Sequence, residues 1–119
     1  IGGASLGGLF SFMIGMKYPD VFSKIACLSP YFGLNQQLYA SSLKENYGDS
    51  KNLTFYIDNG DIGLDDKLQP GIDEILAYLK VHHYVVNKDL FWFKVNDAAH
   101  NNKAWAARIS KPLEIFFKK

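Results

Sequence analysis

The sequence predicts an α/β fold in which a mostly parallel sheet is flanked by helices. Three short apolar runs, typical of buried strands, alternate along the chain with helical segments of ten or more residues. Strands and helices in this alternation build β-α-β units, whose strands lie parallel. No repeat, low-complexity tract or linker divides the 119 residues, so we predict one domain over residues 1–119.

The first third of the chain predicts a buried helix followed by a buried strand. Residues 6–18 are apolar around nearly the whole helical circumference, and Pro19 ends the segment. Residues 24–29 form a short apolar run, as expected for a strand covered on both faces of a parallel sheet. A further helix is predicted over residues 36–46.

The remainder predicts two more strands, each followed by a helix. Residues 53–58 are rich in β-branched and aromatic side chains and run into an Asn-Gly turn. A helix then begins near Pro70, a residue suited to a first helical turn. The third strand covers residues 90–95, and a last helix covers residues 105–117 with an interruption near Pro112.

Composition and charge favour a small, weakly charged ligand. The formal net charge is +1, from 13 basic and 12 acidic residues, which argues against nucleic acid or an anionic membrane surface as partner. No apolar stretch approaches the roughly 20 residues that span a bilayer. The single cysteine, Cys27, lies in an apolar run and is predicted to be a buried thiol. An unpaired cysteine and no recognisable export signal favour a cytoplasmic location.

The start of the sequence suggests a longer protein. Residues 1–3 begin abruptly, without methionine, on what reads as the end of a strand. Because three or four strands would leave a sheet edge open, we expect this sequence to be the C-terminal part of a domain whose N-terminal strands are missing.

Residues 3–7 read Gly-Ala-Ser-Leu-Gly and match the G-x-S-x-G pattern of a nucleophile on a sharp strand-to-helix turn. The turn strains the backbone at Ser5, so the residues two positions before and after it must be small. Gly3 and Gly7 meet that need and Gly8 adds room. The Leu6 backbone N–H, at the helix N-terminus, is the natural oxyanion donor. The alternative is a tight turn without a catalytic role.

His100 is the candidate base among three histidines. It follows the third predicted strand through residues 96–99, and loops at the carboxyl ends of parallel strands form the active sites of such sheets. His82 and His83 end a helix, where solvated histidines are common. The chain order of Ser5 first and histidine last matches the hydrolase order Ser, acid, His.

The candidate acid lies in residues 58–66, which contain four aspartates. Asp61, three residues past the predicted strand end, is slightly favoured over Asp65, which lies further along at a flexible turn. Asp58 and Asp66 are interpreted as turn or cap residues.

Other ligands have weaker support. The aspartate cluster could bind calcium, but it lacks the EF-hand spacing, and no zinc pattern is present, so no metal or cofactor is predicted. Tyr31 and Phe32 are candidates for lining a substrate pocket, with simple packing as the alternative.

These motifs together resemble the esterase family of the α/β-hydrolase superfamily that includes esterase D-like, enterochelin esterase-like and feruloyl esterase-like enzymes. The resemblance runs the whole length and is most specific in its first and last blocks. The matching blocks are residues 2–8 and 17–22, residues 27–30, residues 56–60, and His100-Asn101 with Ala104-Trp105 and Pro112-Leu113.

The resemblance implies the C-terminal portion of an α/β-hydrolase that cleaves a small-molecule ester through an acyl-enzyme, without a cofactor. It implies Ser5 as nucleophile, His100 as base and an acid in the loop from Asp61 to Asp65, both included. In this family a second oxyanion donor and much of the pocket precede the first residue of this chain. Acyl transfer to an alcohol, or a binding domain that kept the fold without activity, are the alternatives.

Overall fold

The computed structural model describes residues 1–34, 37–38 and 52–118. The strands are β1 (Gly2–Ala4), β2 (Lys24–Leu28), β3 (Gly33–Leu34), β4 (Gln37–Leu38), β5 (Thr54–Gly60) and β6 (Leu90–Val95). The helices of these residues are α1 (Leu6–Lys17), α2 (Leu64–Lys67), α3 (Gln69–Val81), α4 (Asn102–Ala106) and α5 (Ser110–Phe117).

The main sheet has the order β1-β2-β5-β6, and every neighbouring pair is parallel. This confirms the predicted α/β class. The register aligns Ala4 with Leu28, Leu28 with Asp58 and Asp58 with Phe93, so the carboxyl ends of all four strands lie at one edge. The loops that follow these strands therefore meet there, which is where ligand sites of open α/β sheets form.

Successive side chains of β5 point to opposite faces of the sheet, as strand geometry requires. Phe55 and Ile57 enter a large apolar core shared with helices α1 and α3. Tyr56 enters a smaller cluster on the other face, against which side chains of α4 and α5 pack. We call the side of the sheet that carries Phe55 and Ile57 the apolar face, and the side that carries Tyr56 the network face.

Helix α1 is less buried than its composition predicts. Phe12 is fully buried in the apolar core, whereas Leu6 and Phe10 are more than half exposed, at 55% and 56%. The helix lies close to the sheet, because a Cβ on Gly15 would approach the Ile25 side chain to 2.2 Å. The prediction of a helix buried all round therefore holds for one side only.

Two further predictions differ from the structure. Residues 37–38 pair as a strand with residues 33–34, so the helix predicted from residue 36 does not begin there, and residues 39–46 of that prediction lie outside the described residues. The C-terminal helix is interrupted at residues 107–109. Pro112 lies inside the first turn of α5, where a missing backbone N–H costs little.

Candidate active site

Ser5 forms a strained turn between β1 and α1. Its backbone has φ 57° and ψ −121°, a conformation that ordinarily costs about 1–3 kcal/mol in a residue with a side chain. The surrounding backbone holds it: the Ser5 N–H donates to the Leu28 carbonyl at 3.0 Å, and the Ser5 carbonyl accepts from the Gly8 and Tyr31 N–H groups at 3.0 and 3.1 Å. The turn is thus tied to the end of β2 and to the segment that follows it.

Two glycines around this turn have little or no room for a side chain. A Cβ on Gly3 would lie 2.6 Å from the Gly7 carbonyl, and one on Gly8 would lie 3.0 Å from the Pro30 side chain. A Cβ on Gly7 would meet nothing within 4 Å. The expected lack of room for a side chain is therefore present at Gly3 and absent at Gly7. On the helix side of the turn, room is limited at the neighbouring Gly8.

His100 lies between Ser5 and an aspartate. Its Nε2 is 2.8 Å from Ser5 Oγ, and its Nδ1 is 2.6 Å from Asp65 Oδ1. The Trp105 ring packs against the imidazole in a T-shaped arrangement, with the ring centres 4.9 Å apart at 85°. The imidazole side chain is 14% exposed and the Asp65 side chain is fully buried, so water is largely excluded from the pair.

Asp65 is held in place through both its backbone and its second carboxylate oxygen. Asn59 Nδ2 donates to the Asp65 carbonyl at 2.9 Å. The Gly60 N–H and the Ser29 hydroxyl donate to Asp65 Oδ2 at 2.5 and 2.7 Å. Gly60 also contacts the loop that carries His100, because a Cβ there would lie 1.9 Å from the Ala98 carbonyl.

The sequence-based preference for Asp61 over Asp65 does not agree with this geometry. Asp61 is exposed, and its carboxylate accepts the Asp97 N–H at 2.9 Å. The discrepancy arises at the end of β5, which continues to Gly60 and not only to residue 58. Asp61 therefore leaves the sheet immediately, and the short helix α2 brings Asp65 back beneath the imidazole.

The remaining aspartates of this loop have other partners. Asp66 lies on the surface, 3.3 Å from Lys94 Nζ. Asp58 is fully buried and forms an ion pair with Arg108. Asp58, Asp61, Asp65 and Asp66 thus differ in their main contacts, which are Arg108, the Asp97 N–H, His100 and Lys94 respectively.

A buried arginine, absent from the sequence-based predictions, lies beside this site. Arg108 Nε and Nη2 donate to Asp58 Oδ2 and Oδ1 at 2.8 and 3.0 Å, and Nη2 also donates to Ser29 Oγ at 2.8 Å. The Tyr56 hydroxyl adds a bond of 2.7 Å to Asp58 Oδ2. One signal was available in the sequence: Asp58 ends the predicted buried strand, where a charge needs a partner, and Arg108 is the one arginine of the sequence.

Burial governs the titration of two groups near the sheet centre. It raises the pKa of the Tyr56 phenol, and the negative charge and hydrogen bond of Asp58 raise it further, so Tyr56 remains a donor. Burial likewise raises the pKa of the Cys27 thiol, with a further contribution from the Asp58 charge. Cys27 is therefore an inert core thiol and no candidate nucleophile.

The two predicted pocket residues have different surroundings. Phe32 is fully buried in the apolar core, edge-on to Phe12 with the ring centres 5.2 Å apart, so it packs in the core and does not line a pocket. Tyr31 is half-buried, and its backbone contacts the Ser5 carbonyl. Tyr31 thus stays a candidate substrate contact.

The other histidines lie at the end of α3. The His82 ring packs against Tyr78, with centres 4.3 Å apart, and the exposed His83 has a positive φ of 71°. Neither residue follows a strand at the carboxyl edge of the sheet, where Ser5 and His100 meet.

Comparisons with known proteins agree with this architecture. The family model described as Putative esterase matches residues 1–113. No curated protein sequence matches the chain significantly. An enterochelin esterase from Shigella flexneri superposes with a TM-score of 0.79 at 19% identity, over 98% of this chain and 30% of that one.

Two further solved structures are similar. The enterobactin esterase from Shigella flexneri in the presence of enterobactin gives a TM-score of 0.77 at 20% identity, over 98% of this chain and 29% of that one. The ferric enterobactin esterase from Salmonella typhimurium gives 0.77 at 19% identity, over 97% and 29%. At these identities the likeness shows the fold. The chain spans about 30% of the length of these structures. No helix of the described segments is long and apolar enough to cross a membrane.

Proposed function

The chain belongs to the Putative esterase family, and we propose that it carries the nucleophile, base and acid of a serine ester hydrolase. Ser5 is the nucleophile, His100 the base and Asp65 the acid. The observation that carries the proposal is the continuous line of contacts from Ser5 Oγ through the two imidazole nitrogens to Asp65, at 2.8 and 2.6 Å. Because the chain spans about 30% of its structural relatives, the activity is proposed for the whole polypeptide.

The Asp65 carboxylate determines which imidazole nitrogen of His100 carries the proton. An ionised carboxylate only accepts hydrogen bonds, so His100 Nδ1 donates to it. Nε2 is then unprotonated and accepts the hydrogen bond of the Ser5 hydroxyl. This tautomer is the one that a general base requires, and the buried carboxylate stabilises the imidazolium that forms when the serine proton is taken.

The reaction follows from these positions. As Ser5 Oγ attacks the ester carbonyl, His100 takes the hydroxyl proton and a tetrahedral oxyanion forms. His100 then gives the proton to the departing alcohol, which leaves an acyl group on Ser5. His100 next takes a proton from a water molecule, which attacks the acyl carbon, and returns that proton to Ser5 Oγ as the carboxylic acid leaves.

Leu6 is the proposed oxyanion donor of this chain. It is the first residue of α1, and backbone N–H groups in the first turn of a helix have no carbonyl partner within the helix. The positive end of the helix dipole also favours negative charge beside Ser5. Removing one oxyanion donor typically lowers kcat by about 10²–10³-fold.

The proposed substrate is a small-molecule ester. The weak net charge of +1 disfavours a highly charged polymer. One structural relative was solved in the presence of enterobactin, which supports a small-molecule ligand in this fold.

A fluorophosphonate probe, which reacts covalently with activated serines, tests the proposal directly. We expect the full-length protein to be labelled at Ser5, and we expect Ser5→Ala and His100→Ala to abolish labelling while circular dichroism and thermal unfolding show a folded protein. Labelling of folded Ser5→Ala to the wild-type extent, or no labelling of the folded wild type, would overturn the proposed function.

A further inference from the structure

A buried hydroxyl connects the proposed acid to the rest of the network face. Ser29 follows β2 directly, is fully buried and has a positive φ of 44°. Its Oγ lies 2.7 Å from Asp65 Oδ2, 3.0 Å from Trp105 Nε1 and 2.8 Å from Arg108 Nη2. One oxygen atom thus has three hydrogen-bond partners, one from α2 and two from the segment formed by α4 and the residues directly after it.

The chemistry of these partners fixes the direction of the Ser29 hydroxyl. A hydroxyl has one proton to donate and two lone pairs that accept. The Trp105 indole and the Arg108 guanidinium can only donate, so they occupy both lone pairs. The single proton of Ser29 must therefore point at Asp65 Oδ2, where the Gly60 N–H also donates.

Arg108 is itself held rigidly by Asp58. Two parallel hydrogen bonds join the guanidinium to both carboxylate oxygens, and Tyr56 donates a further bond to Asp58. This bidentate pairing fixes the orientation of the guanidinium plane, and the Asp58 carboxylate neutralises the buried positive charge. Arg108 Nη2 also lies 3.9 Å from Asp65 Oδ2, so the guanidinium is close to both buried carboxylates.

We propose that Ser29 is a positioning residue that orients the Asp65 carboxylate toward His100, and that Trp105 and Arg108 direct its hydroxyl. The inference deepens the proposed function and rests on it. With Oδ2 held by the Ser29 hydroxyl and the Gly60 N–H, the remaining oxygen Oδ1 faces His100 Nδ1. Ser29 thereby acts on the reaction through Asp65 and without contact to the substrate.

The test compares Ser29→Ala with Tyr56→Phe in the full-length protein, using hydrolysis of p-nitrophenyl butyrate. Each substitution removes one fully buried hydroxyl, but the Tyr56 hydroxyl donates to Asp58 and the Ser29 hydroxyl to Asp65. We expect Ser29→Ala to lower kcat by about 10- to 100-fold, the loss that small misplacement of a catalytic group produces, with KM within about twofold. We expect Tyr56→Phe to lower the Tm comparably and to keep kcat within about twofold, because both Asp58–Arg108 hydrogen bonds remain and still hold the guanidinium that donates to Ser29.

Proton NMR supplies a second readout. We expect the downfield resonance of the His100 Nδ1 proton, present in the wild type and in Tyr56→Phe, to broaden or shift in Ser29→Ala. If Ser29→Ala does not fold, Trp105→Phe decides, because it keeps a ring against His100 and removes one donor to Ser29. We expect this variant to lower kcat by about 3- to 10-fold with little change in KM.

The outcomes separate the two proposals. Wild-type kcat in folded Ser29→Ala, or in Trp105→Phe where that variant is needed, would overturn the positioning role even if Ser5→Ala is inactive. An equal loss of kcat in Ser29→Ala and Tyr56→Phe would also overturn it, because the effect would then be structural. Activity that survives Ser5→Ala would instead overturn the proposed function itself.

Discussion

The two faces of the main sheet use the same strands in different ways. On the apolar face Phe55 packs against Phe12 and Tyr84, with ring centres 5.6 and 5.0 Å apart, in a core of buried aliphatic and aromatic side chains. On the network face the neighbouring residue Tyr56 donates to Asp58, which pairs with Arg108. The period of two along a strand therefore separates apolar packing from the polar contacts that reach Asp65.

This separation means that stability and chemistry should respond to different substitutions. On the apolar face, burial of apolar area stabilises the fold, and this contribution does not depend on the direction of individual contacts. Buried polar groups on the second face supply little net stability, because their hydrogen bonds replace those with water, but they specify orientation. Variants chosen from each face can test whether the two contributions are independent.

Asp65→Asn, on the network face, has the largest expected effect. Ser29 and Gly60 both donate to the Oδ2 position, so the amide oxygen of the asparagine takes that place and its NH2 faces His100. The imidazole must then protonate at Nε2 and can no longer accept the Ser5 proton. We expect kcat to fall by about 10⁴-fold, as when a triad acid is replaced by its amide.

Hydrolysis of p-nitrophenyl butyrate measures this loss, and thermal unfolding of the same samples serves as the control. The side chain keeps its shape, so the Tm should change far less than kcat. A folded variant with kcat within about tenfold of wild type would exclude Asp65 as the acid.

Phe55→Ala, on the apolar face, should give the opposite result. Phe55 is fully buried, and truncating such a side chain to alanine typically lowers the free energy of unfolding by about 3–5 kcal/mol. Urea unfolding measures this change. We expect kcat, calculated per active site counted by probe labelling of a parallel sample, to stay within about twofold of wild type, because the strand ends keep their register. A loss of kcat per labelled site of tenfold or more would show that the two faces are coupled.

Local patterns were sufficient to predict the strands of the main sheet and to bring Ser5 and His100 to one edge. A strand end followed by a glycine-flanked serine, and a histidine on a loop after a later strand, are signals read within a few residues. The acid was harder to predict, because β5 ends two residues later than the predicted strand. Counting from the predicted end favoured Asp61 over Asp65.

Contacts between distant parts of the chain carried no such local signal. Asp58 and Arg108 are 50 residues apart, and only the fold shows that the α4 to α5 connection returns to the end of β5. By residue type alone Phe32 could line a pocket or pack in the core, and its full burial and ring contact with Phe12 show that it packs in the core. Tertiary packing thus selects among residues of suitable type.

Asp61→Asn is the smallest expected effect and the sharpest control for the acid. Asp61 is exposed, and the amide oxygen of asparagine can accept the Asp97 N–H as the carboxylate does. We expect the free energy of unfolding to change by no more than about 0.5 kcal/mol and kcat by no more than about twofold, as for other surface substitutions. The same ester assay and urea unfolding apply. Because Asp61 and Asp65 lie four residues apart after β5 and undergo the same chemical change, a loss of kcat in Asp61→Asn comparable to that in Asp65→Asn would mean that this segment rearranges during the reaction.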